Sequence, residues 1–333
     1  MSEKKTQHNI KQAKTLAPPK SYNKLLLLVL IIITTSIYLK SLNNQLTTWD
    51  DKNYLTENKD IRTLHGDSVN YTLKKTFSSY VMGNYHPLTM LSYCMEYAKY
   101  KLDPKPYHLT NFVFHLFNTL LVFCFIWLLT QQQWVAFITA LLFSIHPMHV
   151  ESVAWVAERK DVLYSFFYLS ALCTYLVYLK KEKRKWILYV FVFLLFILGI
   201  LSKAMTVSLP IAFLALDYFT GRKITMKVVL EKIPFIILSF IFGYIAIEAQ
   251  KSVNALGDIT HYNFLDRILF TSYGLIVYLS KMIFPINLSC FYDYPVKQDG
   301  VYPAIFYIAP LLILTLVFLI YRSIRFSKDV VFG

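Results

Sequence analysis

The chain has 333 residues, 56% hydrophobic and 17% aromatic, and only 16% are charged. A soluble domain carries roughly 25% charge, so this composition excludes a water-soluble globular fold. Apolar runs of about 20 residues recur along the sequence, which predicts an all-α, polytopic helical membrane protein. The formal charge of +14 fits basic residues gathered at cytoplasmic helix ends, so nucleic acid is not an expected partner.

The polar, basic segment 1–23 precedes LLLLVLIIITTSIYL. No small-residue cleavage site follows that run, so it reads as an uncleaved first span, about 24–40, with the N-terminus in the cytoplasm. A membrane domain is expected over 24–321. The amphiphilic stretch 41–107 is too polar to cross lipid and too long for a tight turn. Its mixed charges and interleaved Tyr54, Tyr71, Phe77 and Tyr80 suit helices lying on the membrane interface, outside the cytoplasm. Spans are expected at about 108–129 and, after TQQQ, at about 134–145. HPMHVESVAWVAERKD then forms a second external element, 146–161, read as broken at Pro147 and helical over 150–161. On that helix Val150, Val153, Ala154 and Ala157 form the inward face.

The next span, about 162–179, ends at KKEKRK, 180–185. The positive-inside rule and the count of spans both put that cluster in the cytoplasm. Further apolar runs follow at 186–201, 211–219, 233–249, 268–284 and 304–321. Strict alternation then places the basic tail 322–333 outside, against its charge. A re-entrant segment after residue 200 resolves the conflict, and so do further helices beyond VVFG. Cys94, Cys124, Cys173 and Cys290 show no metal or redox spacing and read as small hydrophobes.

Polar residues gather in the two external elements. Asp50 and Asp51 sit side by side in the first. The second holds His146, His149, Glu151, Glu158, Arg159 and Asp161. Arg159 offers a planar fork of donors for an anionic phosphate; its alternative role is to satisfy its carboxylate neighbours on an interfacial helix. His146 and His149 lack a third ligand in register for zinc. A divalent Mg or Mn ion held by Asp50 or Asp51 against a phosphate is the better metal candidate. Asn84, His86, His108 and Asn111 suggest fixed turns and helix caps, and His86 is also a candidate substrate contact. His115 and Asn118 should face the bundle interior. Lys203, at a membrane turn, either snorkels or meets a lipid phosphate.

The segments WDDKNYLTEN, YHPLTMLSYCMEY, PYHLTNFVFHLFN, HPMHVESVAWVAERKDVL, LSKAMTVSLP and RILFTSYGLIVYLSKMIFPINLSCFYDYP resemble the membrane part of the tetratricopeptide-linked O-mannosyltransferase-like proteins. These are GT-C type glycosyltransferases, distant from the dolichyl-phosphate-mannose protein mannosyltransferases. The resemblance runs from about residue 45 to the end. It implies a polyprenyl- or dolichyl-phosphate-linked sugar donor and inverting transfer to a hydroxyl acceptor, on protein or glycan, outside the cytoplasm. It also implies an essential acid in the first external loop, mapped to Asp50–Asp51 with Asp51 favoured, and donor-phosphate contacts from His149, Glu151, Arg159 and Asp161. The family's tetratricopeptide repeats, with their 34-residue period, do not occur in this chain.

The chemistry agrees. A lipid-linked donor presents its phosphate at the interface, and that phosphate is already a good leaving group. The protein must bind it and deprotonate a hydroxyl. A flippase shares such helices but more often shows two matching halves, and none is visible. A catalytically silent scaffold predicts that Asp50 and Asp51 are dispensable. The Lys-rich, short-looped chain leans towards a bacterial or archaeal cell membrane.

Overall fold

The structure is a computed structural model and describes residues 22–64, 69–181, 183, 185–255, 262–289, 291–292, 295–297 and 300–323. The basic N-terminus up to residue 21, Asp67, Cys290, two members of the KKEKRK cluster and residues 324–333 lie outside the described residues. The described chain is all-α, with one isolated bridge between Val81 and Asn84. Six helices are long and apolar enough to cross a bilayer, and a bent pair makes a seventh. The chain is an integral, multi-pass membrane protein.

Helix α1, Asn23–Tyr38, matches the first expected span. Residues beyond it form a cap on the bundle with two helices of its own, α2, Val69–Ser78, and α3, Pro87–Tyr100. This cap is more than a set of interfacial helices. Tyr54, Leu55, Ile61, Met90, Tyr93, Cys94 and Tyr107 are buried together with Val156 and Ala157 of the second element. The aromatics that suggested interface contacts divide accordingly: Tyr54 is in the core, while Tyr71, Phe77 and Tyr80 remain exposed.

Helix α4, Pro104–Thr130, starts where Asp103 accepts a hydrogen bond from the Lys105 amide and Pro104 fills the first turn. That is a standard start, because proline lacks the N–H that the first turn leaves unpaired. It ends at Gln131 in the left-handed conformation. Helix α5, Gln133–Ile145, returns and bends by 54° into a short helix, α6, Val150–Ala154. The bend falls at Pro147, as expected, with His146 Nδ1 accepting from the Met148 amide. The expected continuous helix over 150–161 is instead broken at Trp155, whose backbone is extended. A 3₁₀ turn, Val156–Glu158, leads into α7, Arg159–Lys180. Arg159 and Asp161 therefore belong to the first turn of a spanning helix. Val153 and Ala157 are buried, but Val150, expected to face inward, is exposed.

His115 and Asn118 do face the interior, as their polarity demands in lipid. Asn118 Nδ2 donates to the Val162 carbonyl at 2.8 Å and His115 Nε2 lies 3.2 Å from the Ser144 carbonyl. They tie α4 to α7 and to α5. Helices α8, Lys185–Ser202, α9, Leu209–Phe219, and α10, Met226–Lys251, complete the bundle. Its core joins Leu172, Leu176, Phe196, Ile200, Phe213 and Phe235. Gly199 lets the turn after α8 fold back, since a Cβ there would meet Thr206 Cγ2 at 2.8 Å.

Helices α11, Phe264–Ile283, and α12, Ala304–Ser323, form a pair beside this bundle. The run 268–284, expected to span, is not among the six spanning helices. Its charged residues Asp266, Arg267 and Lys281 lie near its ends.

Candidate active site

The cap and the broken helix meet at Asp51. Its Oδ2 accepts from the Thr47 amide at 2.7 Å and the Thr47 hydroxyl at 3.1 Å, and its Oδ1 accepts from the Ala157 amide at 2.8 Å. The break at Trp155 frees these backbone groups, and side chains of the cap and of α4 take them up. Asn111 Nδ2 donates to the Trp155 carbonyl at 3.0 Å and the Tyr93 hydroxyl to the Val156 carbonyl at 2.7 Å. Trp155 Nε1 donates to Thr47 Oγ1 at 3.1 Å. Asp51 is fully buried and both its oxygens are engaged. Asp50 is half-buried, and no hydrogen bond or ion pair engages its carboxylate among the described residues. The adjacent carboxylates therefore have different environments: one latches the cap to the broken helix, and the other is left open.

Arg159 is also fully buried. Its Nε donates to Asn111 Oδ1 at 2.9 Å, Nη1 to Ser92 Oγ at 3.2 Å and Nη2 to the Tyr107 carbonyl at 2.9 Å. Nη1 also pairs with Glu96, whose other oxygen accepts from Thr110 Oγ1 at 2.5 Å. The guanidinium stacks 4.6 Å from the Tyr93 ring centre. Four of its five donors are thus committed inside the protein. This arrangement joins α3, α4 and α7 and leaves no face of the guanidinium for a phosphate. Asn111 is accordingly a bridge between helices rather than the cap expected of it.

Of the two lysines near this arginine, Lys203 is partly exposed and Lys160 is buried. Lys203, at the break after α8, pairs with Asp161, which also accepts from Ser152 Oγ at 3.2 Å. Burial works to lower the Lys203 pKa, but Asp161 and then Glu158 outweigh it, and the net shift is upward. Lys160 Nζ donates to Glu158 at 2.7 Å and to the Ala157 carbonyl at 3.2 Å, and lies 5.3 Å from the Tyr54 ring. An ammonium has three donors, so each lysine keeps at least one for a ligand.

Tyr54 links this group to Asp50. Burial raises its pKa first, with Asp50 and Glu158 adding to the shift. His86 lies 5.5 Å from the same ring. Burial, then Lys160 and Lys203, lower its pKa to about 3, so it is neutral at physiological pH. Its Nε2 has no hydrogen-bond partner among the described residues. Asp50, His86, Lys160, Asp161 and Lys203 therefore face one region around Tyr54. His149 sits apart from Asp50, packed 4.5 Å from Phe143 and about 6 Å from His115 and His146. Glu151 is exposed on α6 and does not join the group.

Several of these residues were not expected from the sequence. Glu96 is the lone acid of α3 and the natural partner for a buried arginine. Lys160 follows Arg159 directly in the RKD triplet. Tyr54 carried no chemical signal of its own. For a metal, Asp51 has no free oxygen. Among the described residues no group of three or more His, Cys, Asp or Glu side chains converges. Of the two acids Asp50 alone has a carboxylate not engaged among the described residues, and one carboxylate beside a substrate phosphate is a usual setting for magnesium.

No family model and no solved structure matches the chain. Curated proteins do. Protein O-mannosyl-transferase TMTC3 of Mus musculus is 34% identical over 137 residues, covering 38% of this chain and 14% of the relative. Its Homo sapiens counterpart is 32% identical over the same length. Protein O-mannosyl-transferase TMTC2 of Homo sapiens is 37% identical over 93 residues, 28% of this chain and 11% of the relative. The matched stretch is thus a small part of each relative's length. Over that stretch the chain is similar to the membrane part of the protein O-mannosyl-transferases, as its motifs indicate.

Proposed function

We propose that the chain carries the catalytic end of a glycosyltransferase. It moves a mannose-like sugar from a polyprenyl-phosphate donor to a hydroxyl acceptor, a protein Ser or Thr or a glycan, on the non-cytoplasmic face and with inversion. The observation that carries this reading is the asymmetry of the two acids. Asp51 is closed by three hydrogen bonds, while Asp50 makes no hydrogen bond or ion pair among the described residues and acts on Tyr54, the ring that Lys160 overlies at 5.3 Å. The roles expected from the resemblance are therefore exchanged: Asp50 is the base and Asp51 the positioning residue.

In the proposed reaction Asp50 takes the proton from the acceptor hydroxyl at about 3 Å. The oxygen attacks the anomeric carbon from the side opposite the phosphate. The bond from that carbon to the phosphate oxygen breaks, and polyprenyl phosphate leaves as an anion. Lys203 and Lys160 stabilise the charge that grows on it. Asp161 and Glu158 hold the two ammonium groups in place. His86, neutral and with a free ring nitrogen, is suited to hydrogen-bond a sugar hydroxyl or a phosphate oxygen. Arg159 acts at a distance by fixing α7 under the cap. His149 and Glu151 have no part in this scheme.

The relatives' names support transfer of mannose to protein. Those relatives are animal proteins and lend no support to a bacterial or archaeal membrane. The test is transfer of labelled mannose from a synthetic polyprenyl-phosphate donor by the purified chain, with the anomeric configuration of the product read by NMR. Transfer with inversion is expected. Retention of configuration, or donor translocation across vesicles without transfer, would replace this reading.

A further inference from the structure

At the end of the bundle opposite Asp50, the last turns of α7, the start of α8 and the α9–α10 connection enclose a cleft of about 580 Å³. Lys185, Arg222, Lys223 and Lys227 line it against a single carboxylate, Glu231. That carboxylate is already committed. It holds the Arg222 fork through two hydrogen bonds of 3.0 and 2.8 Å. Deeper in the bundle Asp217 is matched by Lys232 at 2.9 Å and accepts from the Tyr175 hydroxyl at 2.7 Å. Neither Lys223 nor Lys227 has an ion-pair partner among the described residues. Lys185 rests over the Tyr178 ring at 5.4 Å. The cleft thus has a preformed floor, in which Glu231 and Asp217 orient the arginine, and an uncompensated cationic wall.

Its rim is apolar. Trp186 lines it and is 70% exposed, and Ile224 and Met226, next to Lys223 and Lys227 in the chain, are 62% and 72% exposed. A soluble anion would use the cations and gain nothing from that rim. A phospholipid uses both, because its phosphate meets the lysines while its acyl chains lie along the apolar side chains. The volume falls within the roughly 300–1,000 Å³ of ligand sites, more than a bare phosphate needs.

We propose that this cleft binds the head group of an anionic phospholipid in the cytoplasmic leaflet, with Lys185, Lys223 and Lys227 on the phosphate above the Arg222–Glu231 floor and Trp186 along an acyl chain. The bound lipid joins the α9–α10 connection to the start of α8, at the far end of the bundle from the acid pair. This site stands apart from the glycosyl-transfer reading and does not depend on it.

The test uses the full chain in dodecyl maltoside. Dioleoylphosphatidylglycerol, dioleoylphosphatidylcholine and glycerol phosphate are each titrated, and binding is read by native mass spectrometry and by the rise in Tm. Phosphatidylglycerol is expected to bind at least tenfold more tightly than phosphatidylcholine, and glycerol phosphate to produce no shift. K185Q/K223Q/K227Q should weaken phosphatidylglycerol about 100-fold, which corresponds to ~1 kcal/mol per lysine, without changing its phosphatidylcholine binding. The double variant K223Q/K227Q, which breaks no ion pair, should lose about 30-fold and reads the same site if the triple variant does not fold. Equal affinity for the two lipids, or variants that bind like the parent, would overturn the proposal. A shift with glycerol phosphate equal to that with phosphatidylglycerol would also overturn it, in favour of a soluble-anion site.

Discussion

Asp51→Asn should damage the fold, and Asp50→Asn the chemistry. Asp51 accepts hydrogen bonds from two backbone amides and a hydroxyl through both oxygens. An asparagine side chain supplies one acceptor oxygen and one NH2 group. Whichever way it turns, the NH2 faces the Thr47 or the Ala157 amide, donor against donor. One charge-assisted bond of ~1.5–3 kcal/mol is lost and one buried N–H is left unpaired at a further ~1–3 kcal/mol. The sum is a destabilisation of about 2.5–6 kcal/mol, localised where the cap docks on the second element. Asp50 makes no such bonds, so Asp50→Asn should stay within ~0.5 kcal/mol of the parent in stability. Its transfer rate should fall by about 10²–10⁴, the usual cost of a positioned base. The assay pairs thermal unfolding in detergent with sugar transfer from a defined polyprenyl-phosphate donor on the same preparations. An Asp51→Asn protein as stable as the parent but inactive would return the base to Asp51. Full transfer by Asp50→Asn would remove the pair from the mechanism.

Three further outcomes are expected. Arg159→Met should cost ~3–5 kcal/mol, because Glu96 is left as a buried, unpaired charge; parent-like unfolding with reduced donor affinity would restore the phosphate role instead. Lys203→Gln breaks a partly exposed pair worth at most ~1 kcal/mol, so Tm should hardly move while donor affinity falls roughly tenfold or more; unchanged donor binding would exclude it from the phosphate site. His86 has a pKa lowered to about 3, so the unfolded chain takes up a proton that the folded chain refuses. Stability is therefore highest above the unfolded value near 6.5 and declines as pH falls, by ~1.4 kcal/mol between pH 7.5 and 5.5. His86→Gln should flatten that slope in urea titrations, and an unchanged slope would assign it to other groups.

Much of the bundle was legible in the sequence because lipid leaves few options: apolar length marks a span, and a polar residue inside one must find a partner. Asn118 and His115 obeyed that logic. The site was legible only as a location. Arg159 looked like a phosphate ligand because its partners are remote in sequence: Glu96 is 63 residues away and the Tyr107 carbonyl 52. A fork of donors recognises a carboxylate and a backbone carbonyl as readily as a phosphate, and only the fold decides which it meets. The break at Trp155 carries no proline or glycine to announce it. It arises because the cap, through Asp51, Asn111 and Tyr93, offers the interrupted backbone better partners than helix continuation would. The same break separates the roles of two acids that the sequence leaves equivalent.

The topological conflict in the C-terminal third turns on where α11 begins and ends. Gln250, in the last turn of α10, donates to the Gly83 carbonyl at 2.7 Å, which places that end of α10 against the cap. Gly83 has positive φ, and a Cβ there would meet Val253 Cγ2 at 2.6 Å, so the chain leaving α10 runs close along the cap. The far end of α11 lies at the same level, since the Met282 carbonyl is 3.0 Å from His146 Nε2, at the cap end of α5. The linker then comes back along α11. Lys297 approaches Asp266 at 3.7 Å and Tyr302 packs 5.2 Å from Phe270. Its length and composition leave α11 outside the six spanning helices found among the described residues. Its end charges and one-sided burial suit a helix lying on the interface. With α11 removed from the count, and the short apolar segment Ala204–Phe219 kept as a crossing, α12 becomes an eighth, even crossing. It leads back to the side from which α1 set out. If the acid pair faces outside, as proposed, α12 ends on the cytoplasmic side, with Arg322 in its last turn, where the positive-inside rule puts a basic residue.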